Sequence, residues 1–138
     1  MPDLIVRARG LSKRYGDKAV VDGIDLSIER GQCFGLLGPN GAGKTTTLKM
    51  LLGNTSPSAG ELTVLGLSVP AQARRMRERL GIVPQFDNLD PDFSVVENLR
   101  TYGSFFGIKR REMDARLPAL LAFAALEGKA DASISELS

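Results

Sequence analysis

The sequence predicts an α/β fold built around an anion-binding loop, and three observations carry that reading. An apolar run at residues 32–37 breaks at Gly38 into a glycine-dense loop, which passes directly into a helical pattern at 44–52. Ahead of it lie two β-rich runs joined by a turn, and behind it strand-like and helical segments alternate. The 138 residues are 43% hydrophobic and 25% charged, the balance of a folded domain and not of a disordered, collagenous or disulfide-stapled chain.

Taken in order, residues 4–9 and 20–28 alternate apolar with polar side chains around the turn Tyr15-Gly16-Asp17, which predicts an antiparallel pair. Residues 32–37 are nearly all apolar, as a strand covered on both faces would be. The helix at 44–52 carries Leu48, Leu51 and Leu52 on one predicted apolar stripe. After an extended loop at 54–60 come a short strand at 61–65, a helix at 71–80 and a second buried strand at 81–84. From Asp87 the texture turns helical. Ser94 with Glu97 three residues on spells a capping box for a helix through Phe106, and another helix is predicted over 112–126. The chain thus reads as one domain over 1–138, with a β-rich and α/β core at 1–86 and a helical part at 87–138.

Composition excludes several chemistries. Eighteen Lys and Arg against sixteen Asp and Glu give a net charge of +2, too balanced to predict nucleic acid as the main partner. No histidine occurs, which removes histidine triads, imidazole bases and histidine metal ligands. The single Cys33 lies in an apolar run and reads as a buried structural thiol. The longest apolar run, 117–126, contains Pro118 and falls far short of the roughly 20 residues of a membrane span. The start Met1-Pro2-Asp3-Leu4 has no basic stretch followed by an apolar one, so a cytosolic chain is expected. The basic clusters Arg74, Arg75, Arg77, Arg79 and Lys109-Arg110-Arg111 read as solvated faces, with Arg74 and Glu78 placed to pair at i,i+4.

The loop itself is the strongest signal. Gly38, four residues, Gly43, Lys44 and Thr45 satisfy G-x-x-x-x-G-K-[ST], between a predicted strand and a predicted helix. Consecutive amides converge on phosphate oxygens only where side chains do not obstruct them, which accounts for Gly38, Gly41 and Gly43. The helix start adds unpaired N–H groups and a positive dipole end. Lys44 is placed to neutralise β- and γ-phosphates, Thr45 to offer a hydroxyl to Mg²⁺, and Thr46 to donate to an α- or β-phosphate.

The full stretch from Leu36 through Gly38, Pro39, Asn40, Gly41, Ala42, Gly43, Lys44, Thr45 and Thr46 resembles the Walker A segment of ABC-transporter ATP-binding subunits. Residues 11–16 resemble that family's opening strand, whose aromatic residue stacks on adenine; Tyr15 stands at the matching position, where an ordinary strand-end tyrosine is the other reading. Residues 56–61 and the pair Pro84-Gln85 also stand in family-typical places, Gln85 matching the Q-loop glutamine that reaches Mg²⁺ or the attacking water. Residues 83–95 are similar to the ATP-binding subunits of nodulation-factor (lipo-chitooligosaccharide) exporters and related drug-resistance exporters.

The resemblance implies a P-loop ATPase with an antiparallel β part, a parallel-sheet core and the start of a helical subdomain. It implies ATP and Mg²⁺ as cofactors, Lys44 and Gln85 as catalytic residues, and Thr45 and Gln85 at the metal. Its partners would be a membrane-spanning subunit and a second copy arranged head to tail, at the inner face of the cell membrane. Phe86, Leu89 and Phe93 are then candidate contacts for the membrane subunit; the bland alternative is that they serve the domain's own core. The family's signature begins Leu-Ser-Gly-Gly, and the sequence closes on Leu137-Ser138, without an Asp-Glu strand end or a switch histidine. Ala119 to Leu126 followed by Glu127 lacks the aspartate. These 138 residues are therefore expected to bind ATP with negligible turnover and to leave strand edges uncovered. Two other readings stay open: a non-catalytic nucleotide-binding fragment, and a soluble ABC ATPase that transports nothing.

Overall fold

The structure, a computed structural model, describes residues 3–84 and 88–137. It consists of two compact units, Met1–Gly81 and Ile82–Ser138.

In the first unit, β1 (Leu4–Tyr15) and β2 (Lys18–Glu29) form the expected antiparallel pair. They are longer than the alternating runs because a bulge absorbs the break in periodicity between Ala8 and Leu11. There the Gly10 amide donates to Asp25 Oδ1 at 2.7 Å and the Gly23 amide to Ser12 Oγ at 2.8 Å, which satisfies groups the ladder leaves unpaired. β3 (Ala59–Val64) joins the other edge of β1, and a two-residue β4 (Leu67–Ser68), unforeseen in the sequence, closes the order β2-β1-β3-β4. Gly60, at φ 87, lets β3 cross the bulge, since a Cβ there would stand 2.3 Å from the Gly10 carbonyl oxygen.

Helix α1 (Lys44–Leu51) and the short α2 (Ala73–Arg77) cover one face of the sheet. Leu11, Met50 and Met76 are fully buried among Ala8, Val21, Leu62, Val64, Leu67, Val69 and Ala73. Of the predicted stripe on α1, Leu51 packs half-buried against this core, but the inward face as a whole is corrected. Gly43, Thr47 and Met50 face inward at i, i+4 and i+7, while Leu48 is 49% exposed. Contact of Gly43 with β2 fixes the rotation of the helix, and this overrides the leucine pattern. Arg74 and Glu78 form no ion pair among the described residues; instead Arg77 donates to the Gly53 carbonyl at 2.9 Å and Arg79 to that of Leu65 at 3.4 Å.

The two predicted buried strands are not strands here, and the sheet of the described residues is antiparallel throughout. Residues 33–37 carry no backbone hydrogen bond among the described residues, with Leu37 93% exposed, and Val83 is 97% exposed. A doubly buried parallel strand needs neighbours on both edges, and neither run pairs with any of the four strands among the described residues. Cys33 is exposed for the same reason, contrary to the buried thiol expected.

The second unit is helical. α3 (Val95–Phe105) starts on the predicted capping box: Ser94 Oγ accepts from the Glu97 amide, and the Glu97 carboxylate accepts from the Ser94 amide at 2.9 Å. α4 (Arg110–Phe123) packs Met113, Leu117 and Leu121 against Val95 and Val96, and Arg100 Nε meets Asp114 at 2.8 Å. Short 3₁₀ turns at Glu127–Lys129 and Ile134–Glu136 follow. Among the described residues no helix is long and apolar enough to cross a membrane.

Candidate functional site

The loop from Gly38 to Gly43 turns the extended segment into α1. Gly43 is the N-cap residue, left-handed at φ 83, and a Cβ there would stand 2.5 Å from the Val20 carbonyl oxygen. Only glycine lets the loop and β2 touch, and that contact seats the amino end of α1. Gly41 is also left-handed, at φ 84, and the Ala42 amide donates to the Pro39 carbonyl at 3.2 Å, closing the turn. Pro39, Asn40 and Ala42 lie exposed along the rim.

No side chain caps α1, and no acidic residue stands in its first turn. The amides of Lys44, Thr45 and Thr46 therefore have no helical acceptor; the Thr47 amide, bonded to the Gly43 carbonyl at 2.8 Å, begins the ladder. α3, by contrast, satisfies its own amino end with Ser94 and Glu97. The half-buried Lys44 folds back over the loop, its Nζ donating to the carbonyls of Gly38 at 2.6 Å and Pro39 at 2.8 Å. Uncapped amides, a positive dipole end and an ammonium thus share one glycine-lined concavity, which suits a polyanion. Thr45 is exposed and Thr46 half-buried beside it. The Thr45 hydroxyl is the donor this loop offers a magnesium ion, whose remaining shell ordinarily comes from water and phosphate. The residues present thus fit a magnesium-bound nucleotide.

Tyr15 ends β1 opposite Lys18, in the hairpin whose Val20 abuts Gly43. Tyr15 is 51% exposed, with Lys13 Nζ at 5.1 Å from its ring centroid, an arrangement in which a cation and an aromatic ring attract. Gln85 and Phe86 lie outside the described residues. Leu89 is 39% and Phe93 36% exposed, so neither is a core residue of its unit.

Three positioning residues escape a reading of the sequence. Lys13 donates to the Ser56 carbonyl at 2.7 Å, and Ser58 Oγ accepts from the Arg14 amide at 3.0 Å, which latches the loop after α1 onto β1. Asn98, buried in α3, accepts from the Asp90 amide at 2.8 Å and donates to the Asp90 carbonyl at 3.0 Å, holding the preceding loop. Asn98 shows no sequence signal beyond its place one turn after the cap. An open cleft over the sheet, lined by Leu4, Arg7, Arg9, Asp25, Ser27 and Thr63, includes none of the loop residues.

Comparison with known proteins finds relatives over most of the chain. The family profile described as "ABC transporter" matches residues 21–138. The Nod factor export ATP-binding protein I of Ralstonia nicotianae is 59% identical over 134 residues, 97% of this chain and 42% of that protein. Its counterpart in Burkholderia lata is 55% identical over 138 residues, all of this chain and 45% of that protein. The chain thus spans less than half the length of these relatives. Among solved structures, cbiO1 from Clostridium perfringens, part of the ABC transporter complex cbiONQ, superposes with a TM-score of 0.86 at 26% identity, covering 99% of this chain and 56% of that one. The structure of an ATP-binding subunit of an ABC transporter gives 0.81 at 27% identity, covering 97% and 56%.

Proposed function

The chain belongs to the ABC transporter family, and from that membership we propose that it is the nucleotide-binding part of a subunit that powers export through a separate membrane-spanning subunit. The exported cargo is proposed to be a lipo-oligosaccharide, with drug-like molecules the second candidate. What supports the cargo is 59% identity to a Nod factor export protein.

In this reading residues 1–138 are one partial ATP-binding domain, 1–86 its nucleotide-binding core and 87–138 part of its helical subdomain. Gly38, Pro39, Asn40, Gly41, Ala42 and Gly43 line the phosphate cradle. Lys44 leaves its two carbonyl partners for phosphate oxygens, Thr45 supplies a metal ligand, Thr46 donates to phosphate, and Tyr15 stacks on the base. Gln85 serves catalysis and the metal. Magnesium, when bound, neutralises phosphate charge. A second copy, head to tail, completes the working assembly at the inner face of the membrane, and nucleic acid is not a partner. These 138 residues, with no histidine and no Asp-Glu pair, turn ATP over negligibly by themselves.

The observation that carries the proposal is the uncapped amino end of α1 behind Gly43, with Lys44 Nζ already inside the loop. Calorimetric titration with Mg-ATP tests it. Removing one charge-assisted contact by Lys44→Ala should weaken binding roughly 10- to 100-fold. Unchanged affinity would remove the site, and a normal steady-state ATPase rate from these residues would remove the turnover claim.

A further inference from the structure

The two long helices of the second unit meet in a turn that leaves aromatic and cationic side chains outside together. α3 stops on a paired carbonyl lock: the Gly107 amide donates to Ser104 at 3.0 Å and the Ile108 amide to Gly103 at 3.0 Å, with Gly107 left-handed. The lock turns Ile108 into the helical core. Phe105 and Phe106 stay outside, 73% and 59% exposed. Phe105 is braced edge-on against Tyr102, ring centroids 5.7 Å apart, and Tyr102 in turn donates to the Asn88 carbonyl at 2.9 Å.

Lys109, Arg110 and Arg111 follow at once, all exposed. Arg110 lies 3.9 Å from Asp114, whereas Lys109 and Arg111 form no ion pair among the described residues, and Glu112 is taken by Arg116. The cations also stand at the amino end of α4, where the helix dipole disfavours them. Phe106, Lys109 and Arg111 are left with no ring contact or ion pair within the unit among the described residues.

Two open rings beside uncompensated cations match the interfacial zone of a membrane, where aromatic groups settle at headgroup depth and Lys and Arg meet anionic lipid. A protein interface would suit the rings and the arginines but not the exposed, unpaired Lys109, since such interfaces are enriched in aromatic residues and arginine and depleted in lysine. We propose that residues 105–111 contact anionic lipid headgroups directly. The contact needs neither nucleotide nor a membrane subunit, so it stands or falls apart from the ATP-binding reading.

Vesicle flotation of the whole chain without nucleotide tests it, since aggregated protein does not float. Vesicles of phosphatidylcholine mixed with phosphatidylglycerol should carry the chain up at low ionic strength, and pure phosphatidylcholine should not. Lys109→Gln with Arg111→Gln should lower the partition by roughly thirty-fold. Phe105→Ser with Phe106→Ser should abolish it, and Arg74→Gln with Arg75→Gln should leave it unchanged. Circular dichroism checks that each variant keeps its helices, and the charge pair decides the matter should the aromatic pair unfold. Equal flotation with both lipids, indifference to both pairs, or flotation only when the vesicles carry a membrane protein overturns the proposal.

Discussion

At the scale of single residues, two glycines of the loop separate strain from collision. Gly41 and Gly43 are both left-handed, yet a Cβ at Gly41 meets nothing within 4 Å while one at Gly43 meets the Val20 carbonyl at 2.5 Å. Gly41→Ala should therefore cost about 1–2 kcal/mol of conformational strain, and Gly43→Ala distinctly more, with loss of Mg-ATP binding because α1 loses its seat. Urea unfolding and calorimetry of the two variants give the order directly, and equal costs would show that Val20 yields. The carboxylate of Glu97 offers a second test. Hydrogen bonds from the Ser94 amide and hydroxyl, then the nearby Arg100, hold it below the ordinary value of 4.5. Because the folded value lies below the unfolded one, this stabilisation is fully present above about pH 4.5 and is lost as pH falls through the lowered value. Glu97→Gln keeps an acceptor but cannot titrate, so its deficit against the parent chain should shrink on acidification; a deficit independent of pH refutes the assignment. Both motifs were legible because each is a local spacing, G-x-x-x-x-G-K-T and S-x-x-E. Asn98 was not, because its partners Asp90, Phe93 and Ser94 depend on how the preceding loop returns to the helix.

Elements were legible where their boundaries are made locally. The hairpin of β1 and β2 turns at the Gly16-Asp17 pair, and α3 begins at its box, both where the sequence places them. The inward face of α1 was not, because leucine spacing says which residues could be buried, whereas contact of Gly43 with β2 decides which are. α4 shows the same tension. Pro118 sits inside the helix, where it has no amide to give the Asp114 carbonyl, yet Met113, Leu117 and Leu121 keep the stripe buried through it. Packing outweighs a local penalty of about 3 kcal/mol relative to alanine. Exposed Pro118→Ala should accordingly raise stability, by up to about 3 kcal/mol, without moving the stripe. An unchanged or lowered urea midpoint would mean that the ring makes packing contacts worth as much as the lost hydrogen bond.

For the whole molecule, lateral strand pairing is what sequence patterning does not specify. An all-apolar run describes the surroundings a strand requires, and residues 33–37 have the pattern without the surroundings: no backbone partner among the described residues, Phe34 44% and Leu37 93% exposed. Val83, in the second run of this kind, is 97% exposed. Unpaired extended backbone bearing apolar side chains is a template for edge-to-edge association. The net charge of +2 opposes such contact only weakly. Sedimentation velocity should therefore show these 138 residues associating more as concentration rises. Leu37→Lys with Val83→Lys should push the distribution toward monomer, because a charge on an exposed strand must be desolvated before another strand can pair with it. Helix content should stay constant, since neither residue belongs to a core cluster. A parent chain that stays monomeric across the concentration range would mean that the two runs are screened by something other than a neighbouring strand, and the reading of 33–37 as an incomplete sheet would fail with it.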